Sequence, residues 1–371
     1  MAKNRNGMGS IRERADGRFE GRYTGPDGRQ HSVFGKTSKE CTTKLKAALA
    51  AVDSGSWTQP NKMTVAQWID LWLDKYCTNI RDTTRVSYAN QAGNIKRVIG
   101  NVKLTGLKTL HIRQLHAELA KTLAPTSRKV VQVRLVQILD DAVRDKLIPE
   151  NPARGMSLEK ARPVRDMHII DKSQFAAFIS AAKEEICGNE LVFLLFTGLR
   201  IGELLGLQWN NVDLDAGEIV IDRQIVSSGA MTETKNGESR TIKLTDEAIA
   251  ILRDQRVTQA QQRLKAGAEW VDDGFVFTGR CGKHRQGIVI RKSLHSVGAK
   301  IGIPALHPHD LRHSYAVAAL RAGIPIKAVQ HNLGHASAAM TLDVYAKYTD
   351  DTGSQAADTM SAYIKSVLGS N

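Results

Sequence analysis

Helix signals dominate residues 63–155 and restrict this part of the chain to a helical fold. Thr64 can cap a helix, and apolar residues follow it at the i, i+3, i+4, i+7 spacing of one helix face, namely Val65, Trp68, Ile69 and Trp72. Three further helix starts are predicted, at Asp82 or Thr83, at Thr109 and at Thr126. The last helix stops before Pro149, because proline cannot continue a helix. We predict a domain of four helices.

Residues 1–57 show short segments between turn signals instead. The predicted strands are Ser10–Arg14, Phe19–Tyr23 and Arg29–Phe34. Asp-Gly pairs at residues 16–17 and 27–28 favour tight turns between them. Thr37 and Glu40 form a capping box that begins a helix reaching about Val52. We predict a small domain of three strands and one helix, followed by a linker over residues 55–62.

Residues 165–371 form the third predicted domain, which is mostly helical from the capping box at Asp171 and Gln174 onward. Two strands interrupt the helices at Glu218–Val226 and Thr234–Leu244, and Asn236-Gly237 is the predicted hairpin turn. The fold class that follows is multidomain and mainly α, with small β elements.

Positive charge is concentrated in the first 160 residues. The net charge is +5 over residues 1–57, +8 over residues 58–160 and +1 over residues 161–371, which makes +14 in all. Such a surplus indicates a polyanionic partner, so we expect nucleic acid. Arg12, Arg22 and Arg29 lie on or beside the predicted strands and are candidate DNA contacts. Widely spaced cysteines, short apolar runs and an N-terminus without a hydrophobic signal core predict a cytoplasmic protein without membrane contact.

Six polar side chains in the third predicted domain form a candidate site. They are Arg200 in TGLRIGELLGLQW, Lys235 before the Asn-Gly turn, His309 and Arg312 in HPHDLRHSYA, His335 after a glycine, and Tyr345 in TLDVYAKY. His309 and Arg312 are three residues apart at a predicted helix start and therefore face the same way. Each position alone has an ordinary structural explanation, but their order and combination indicate one site.

These motifs resemble those of the tyrosine recombinases, the phage integrase family. TGLRIGELLGLQW is similar to the family's first arginine box, and HPHDLRHSYA with LGHASAAMTLDVYAKY is similar to its second. The four-helix region is similar to the SAM-like domain that binds core sites, and residues 8–54 resemble the arm-site domain of lambda-like integrases. The resemblance implies a DNA recombinase that integrates and excises a phage or mobile element through a 3′-phosphotyrosine intermediate.

The resemblance also implies that two arginines hold the scissile phosphate. Arg200 and Arg312 would clamp its non-bridging oxygens, where negative charge grows during attack, and Glu203 would support the first arginine. Two guanidinium groups can stabilise that charge without a metal. No metal, ATP or other cofactor is expected, because the chain also lacks a phosphate-binding G-x-x-x-x-G-K-[ST] loop.

The remaining roles implied by the resemblance concern protons and the nucleophile. Tyr345 would attack the phosphorus, His309 would accept its proton, and His335 would donate a hydrogen bond to the phosphate. Lys235 would protonate the departing 5′ oxygen, which is a poor leaving group unaided. The implied partners are double-stranded DNA attachment sites of core and arm type, a tetramer on DNA, a host DNA-bending protein and a directionality factor.

Two assignments have rivals, and two other functions remain open. Lys243 lies eight residues beyond Lys235, and Tyr348 follows Tyr345 by nearly one helical turn. A metal-dependent phosphoesterase or nuclease is the first alternative, because His307-Pro-His309-Asp310 superficially resembles a metal cradle. A catalytically inactive DNA-binding regulator on the same scaffold is the second.

Overall fold

The computed structural model describes residues 9–55, 57–58, 61–156, 158, 167–234, 237–335, 337, 342 and 360–361. The chain divides into two compact units, residues 1–164 and 165–371. Helices predominate and the sheets are small and antiparallel, which confirms the predicted fold class. The finer division of the first unit into residues 1–57 and 63–155 remains a prediction. None of the described helices is both long enough and apolar enough to cross a membrane.

The first unit begins with a three-stranded antiparallel sheet and one helix. The elements are β1 (Ser10–Glu13), β2 (Phe19–Thr24), β3 (Gln30–Gly35) and α1 (Ser38–Asp53). β2 is the central strand, and the Thr37 hydroxyl caps α1 by accepting from the amide of Glu40. The helix approaches the sheet so closely that a Cβ at Gly21 would lie 3.2 Å from the Cys41 sulfur.

Trp57 belongs to this sheet and helix, not to a linker. Its indole is 7% exposed, packs with Leu45, and donates to the Tyr23 hydroxyl at 3.2 Å. Asn61 is already attached to the helical part of the unit, because its side-chain amide donates to the Leu147 carbonyl at 3.1 Å. The predicted linker over residues 55–62 is therefore too long. Trp57 is the one large apolar residue in that segment, and burial removes its surface from water.

Four helices follow in the first unit, as predicted. They are α2 (Val65–Lys75), α3 (Asp82–Ile99), α4 (Thr109–Ala120) and α5 (Pro125–Arg144). Trp68 and Trp72 of α2 are fully buried, and their indole N–H groups donate to the Ile138 carbonyl and the Asp141 carboxylate. These two tryptophans are therefore core residues of the bundle and cannot stack on DNA bases.

The second unit contains a larger set of helices. They are α6 (Phe175–Lys183), α7 (Gly188–Thr197), α8 (Ile201–Gly206), α9 (Asp246–Ala266), α10 (Gly287–Lys300), α11 (Pro308–Arg321) and α12 (Ile326–Leu333). One large apolar core includes buried residues of α6 to α10. A second, small cluster joins α11 to α12 and contains Ala316, Ala319, Val329 and Leu333.

Among the described residues between α8 and α9 there are five short strands: β4 (Val212–Asp213), β5 (Glu218–Ile221), β6 (Arg223–Ile225), β7 (Met231–Glu233) and β8 (Arg240–Lys243). β5 pairs with β4 and β8, and β6 pairs with β7. The predicted turn at Asn236-Gly237 lies partly outside the described residues, but the Gly237 amide donates to the Thr234 carbonyl at 2.9 Å and Gly237 has a φ of 72°, as a turn there requires. A second tight turn, at residues 226–230, joins β6 to β7. There Gly229 adopts a φ of 83°, which glycine accepts without strain.

Candidate active site

Arg200 is held at the start of α8 by a buried carboxylate. Gly198 ends α7 with a φ of 65° and turns the chain toward Arg200. The Arg200 amide donates to Glu203 Oε2 at 3.0 Å, and its Nη1 donates to Oε1 at 2.7 Å. Burial alone would raise the pKa of Glu203, but hydrogen bonds and positive charge from Arg240 and Arg200 hold that pKa below its ordinary value. Glu203 therefore stays ionised and orients Arg200.

Arg312 is buried in α11, where its side chain reaches the ends of two other helices. Its Nη1 donates to the Gly198 carbonyl at 2.8 Å, and its Nη2 donates to the Leu333 carbonyl. Within the described part of the chain, its Nε has no partner. Burial, followed by repulsion from Arg200, lowers the pKa of Arg312 to about 9, so the group is charged at neutral pH. A buried cation with an unpaired N–H is well suited to bind an anion.

His309 and His335 lie within the electrostatic influence of both arginines. Burial, then the charges of Arg312 and Arg200, lowers the pKa of His335 to about 4. The same causes in the same order lower the pKa of His309. Both imidazoles are therefore neutral at pH 7 in the protein without DNA. A neutral imidazole offers one donor and one acceptor nitrogen, so it can either give a hydrogen bond to a phosphate or take a proton.

We expect the free energy of unfolding to fall as the pH drops from 7 to 5, in part because of His335. Its folded pKa of about 4 lies below the ordinary 6.5. The unfolded chain therefore takes up the proton first, and stability present above pH 6.5 is lost as the pH falls toward 4. Because this imidazole is only half-buried and solvent screens its interactions, one such group accounts for roughly 1 kcal/mol at pH 5. Denaturation at pH 7 and at pH 5 measures the loss in free energy of unfolding, and the loss should be smaller in His335→Asn by the contribution of this one group. Equal losses in the two proteins would contradict the lowered pKa of His335.

A cleft of about 370 Å³ opens beside Arg200 and His335. Thr234, directly before position 235, and Glu238, three residues after it, also line the cleft, and the Thr234 hydroxyl donates to the Glu238 carbonyl at 2.8 Å. Lys235 itself, Tyr345 and the rival Tyr348 lie outside the described residues. The rival Lys243 is 73% exposed, pairs with Glu218 at 2.6 Å, and lies on the opposite face of β8 from Arg240. This position disfavours Lys243 as a group acting in the cleft.

Arg240 belongs to the same cluster, although no sequence motif indicated it. Its Nη2 and Nη1 donate to the two oxygens of Glu203 at 2.7 and 3.2 Å, and its Nε donates to the Asn332 carbonyl at 2.9 Å. Strand alternation was the available signal, because Arg240 shares a face of β8 with the buried Ile242. An arginine on the buried face of a strand needs a buried counter-charge, and Glu203 supplies it.

The sequence His307-Pro-His309-Asp310 caps α11 and is not arranged as a metal cradle. A ring nitrogen of His307 accepts from the His309 amide at 3.3 Å, and the Asp310 carboxylate accepts from the His307 amide at 2.8 Å. Over the residues that the structure describes, no three His, Cys, Asp or Glu side chains are grouped so that they could hold a metal ion.

The N-terminal arginines are arranged around a single carboxylate. Arg12 and Arg22 pair with Glu20 at 2.6 and 3.2 Å. Hydrogen bonds from the Ser32 hydroxyl, then from Arg22 and Arg12, lower the pKa of Glu20 to about 2. By strand alternation these arginines lie on the sheet face opposite α1. Arg29 lies in the turn before β3, where its amide donates to the carboxylate of Asp27.

Comparisons with known proteins match both units. Residues 168–351 match the model of the phage integrase family, and residues 64–120 match that of the phage integrase N-terminal SAM-like domain. An integrase of Streptomyces ambofaciens is 28% identical over 327 residues, covering 84% of each chain. The integrase of Mycobacterium phage D29 is 26% identical over 365 residues, covering 92% of this chain and 93% of that protein. A lambda integrase tetramer bound to a Holliday junction has a similar fold, with a TM-score of 0.61, 19% identity, and coverage of 94% of this chain and 99% of that one.

Proposed function

We propose that this chain, which belongs to the phage integrase family, is a site-specific DNA recombinase that cleaves and rejoins DNA through a 3′-phosphotyrosine intermediate. The observation that carries the proposal is that Arg200 and Arg312 donate to the neighbouring carbonyls of Gly334 and Leu333, directly before His335, beside a cleft that Arg200 and His335 line. A phosphodiester gains negative charge on its oxygens as it is attacked. Fixed guanidinium groups stabilise that charge more in the transition state than in the ground state, and this difference accelerates cleavage.

In the proposed reaction the Tyr345 oxygen bonds to phosphorus as the bond between phosphorus and the 5′ oxygen breaks. The phenol proton passes to the neutral His309, and Lys235 gives a proton to the departing 5′ oxygen. Arg200, Arg312 and His335 bind the non-bridging oxygens. The phosphotyrosine ester keeps the energy of the broken diester, so a 5′ hydroxyl can attack it and rejoin the strand without a nucleotide cofactor.

Three regions of the chain would divide the work of DNA binding. Residues 1–57 would bind arm-type sites through Arg12, Arg22 and Arg29, residues 63–155 would bind core-type sites, and residues 165–371 would carry out the chemistry. The separate apolar clusters of the sheet and of the helical bundle support this division. We further propose a tetramer on DNA, a host DNA-bending protein and a directionality factor, with integration and excision of a phage or mobile element as the outcome.

Incubation with attachment-site DNA tests the proposed function directly. We expect protein to remain covalently attached to the DNA on a denaturing gel, and to do so in excess EDTA, because arginine and histidine side chains supply the charge stabilisation. Free DNA ends, or cleavage that returns only with a specific metal, would favour the metal-dependent nuclease. Intact DNA after binding would indicate an inactive regulator.

Removal of residues 1–60 is expected to leave core-site binding and covalent cleavage intact. The shortened protein keeps Asn61 and its bond to the Leu147 carbonyl, so the helical bundle retains its contacts. It should no longer bind the distal, arm-type sites. The slope of the logarithm of the binding constant against the logarithm of the salt concentration should flatten by roughly one unit for each lost phosphate contact. Footprinting of both proteins on one long fragment measures this. Identical footprints would mean that residues 1–57 do not read DNA independently.

A further inference from the structure

Three arginines donate to three consecutive carbonyl groups at the C-terminal end of α12. The pairs are Arg240 with Asn332 at 2.9 Å, Arg312 with Leu333, and Arg200 with Gly334 at 3.0 Å. The last carbonyl groups of a helix have no partner inside the helix and carry partial negative charge. The end of α12 therefore gathers three guanidinium groups that would otherwise repel one another.

Arg240 differs from the other two arginines in that all three of its guanidinium nitrogens donate hydrogen bonds within the protein. Its Nε, Nη1 and Nη2 all donate to Glu203 or to the Asn332 carbonyl, and its side chain is only 8% exposed. The side chain of Arg200 is 29% exposed. Arg240 is thus suited to hold other groups in place, whereas Arg200 can also reach a ligand.

Glu203 connects Arg240 to Arg200. Its Oε1 accepts from Nη1 of Arg200 at 2.7 Å and from Nη1 of Arg240 at 3.2 Å, while Oε2 accepts from Nη2 of Arg240 at 2.7 Å. The two-bond contact with Arg240 fixes the plane of the carboxylate. Arg240 of β8 therefore determines the orientation in which Glu203 holds Arg200.

The turn that precedes His335 is also shaped around Arg240. Gly334 has a φ of 60°, and a Cβ at this position would lie 2.9 Å from Nη1 of Arg240. A side chain there would be strained by its backbone conformation and would also collide with the guanidinium. The position of His335 thus depends on the same arginine.

We propose that Arg240 is a positioning residue of the active site. It orients Glu203, and through Glu203 the phosphate-binding Arg200, and it fixes the turn that leads to His335. It contacts no reacting atom. This inference rests on the proposed recombinase function, because its effect is exerted on the binding of a phosphate in the transition state.

Single-turnover cleavage of two nicked duplexes tests the proposal. Both carry the core site mapped by footprinting with the wild-type chain; one has an ordinary scissile diester and the other a methylphosphonate, in which a neutral methyl group replaces one non-bridging oxygen. We expect Arg240→Gln to slow cleavage of the ordinary duplex by roughly 100-fold and cleavage of the methylphosphonate duplex by less than about 5-fold. The neutral methylphosphonate carries less negative charge for the arginines to stabilise. DNA affinity should stay within about 3-fold, because the Arg240 side chain is only 8% exposed and its N–H groups donate to Glu203 and to the Asn332 carbonyl.

Two further variants complete the experiment. Arg240→Lys keeps the charge but cannot span both Glu203 oxygens and Asn332, so its rates should lie between those of the wild type and Arg240→Gln. Arg263→Gln removes a 63% exposed arginine that pairs with Asp272 in the same unit, and it should cleave both duplexes at the wild-type rate.

Each remaining outcome counts against a specific statement. Equal slowing on both duplexes, or no slowing, overturns the positioning role of Arg240. If Arg240→Gln does not fold, the same two-duplex comparison with Arg240→Lys decides. A wild-type chain that attaches to neither duplex overturns the recombinase function and this inference with it.

Discussion

Replacement of Tyr345 by phenylalanine is expected to abolish covalent attachment of the chain to DNA. The change removes one oxygen atom, so the fold and the arginine cluster should remain, but the proposed nucleophile that attacks the phosphorus is gone. Cleavage should fall by about 10⁴-fold or more, while DNA affinity changes little. Denaturing electrophoresis of the reaction products measures attachment, and a gel-shift titration measures binding.

Tyr348→Phe is the matched control, because it makes the same chemical change three residues away. It should leave attachment at the wild-type level. Attachment that persists in Tyr345→Phe and disappears in Tyr348→Phe would exchange the roles of the two tyrosines.

Arg312→Ala is expected to have the second largest effect, a loss of about 10³-fold in cleavage. The variant removes a charge that is proposed to bind the scissile phosphate, and it also leaves the Gly198 and Leu333 carbonyls without this donor. The unpaired carbonyls should lower stability by roughly 1–3 kcal/mol, which denaturation measures separately from cleavage.

A substrate with sulfur at the bridging 5′ position distinguishes the defect of Arg312→Ala from the defect caused by removing the proposed proton donor, Lys235. A thiolate leaves without a proton, so the substrate should restore cleavage by Lys235→Ala but not by Arg312→Ala, whose target is the non-bridging oxygens. Equal rescue of both variants would remove Lys235 from its proposed role, and rescue of Lys243→Ala instead would give that role to Lys243.

The sequence allowed the helices and one part of the site to be predicted because both depend on local patterns. Thr64 and the apolar spacing after it define α2 without reference to the rest of the chain. His309 and Arg312 lie three residues apart on α11 as expected. The contacts of Arg200 with Gly334, and of Arg312 with Gly198, join residues more than 100 positions apart, and only the shared motif pattern of the family suggested them.

The errors arose where tertiary contacts outweighed local signals. The Gly237 amide does donate to the Thr234 carbonyl, but the turn that joins two paired strands is the one at Gly229, because β8 pairs with β5 and leaves β7 to pair with β6. Trp57 lies in a segment with linker composition but is buried against Tyr23. Arg240 was missed because a lone arginine on a short strand is usually solvated, and only the position of Glu203 reveals its partner.

The way in which α12 is held against the second unit allows activity to be lost while the unit remains folded. Among the described residues, its apolar contact with α11 is a small cluster with four buried side chains, and three guanidinium groups bond to the carbonyls at its end. Local opening of an element with so few apolar contacts costs less free energy than melting of the main core. Such an opening would separate the three arginines from one another while the large core of the unit stays folded. The proposed phosphate-binding site would then be lost without unfolding of the unit.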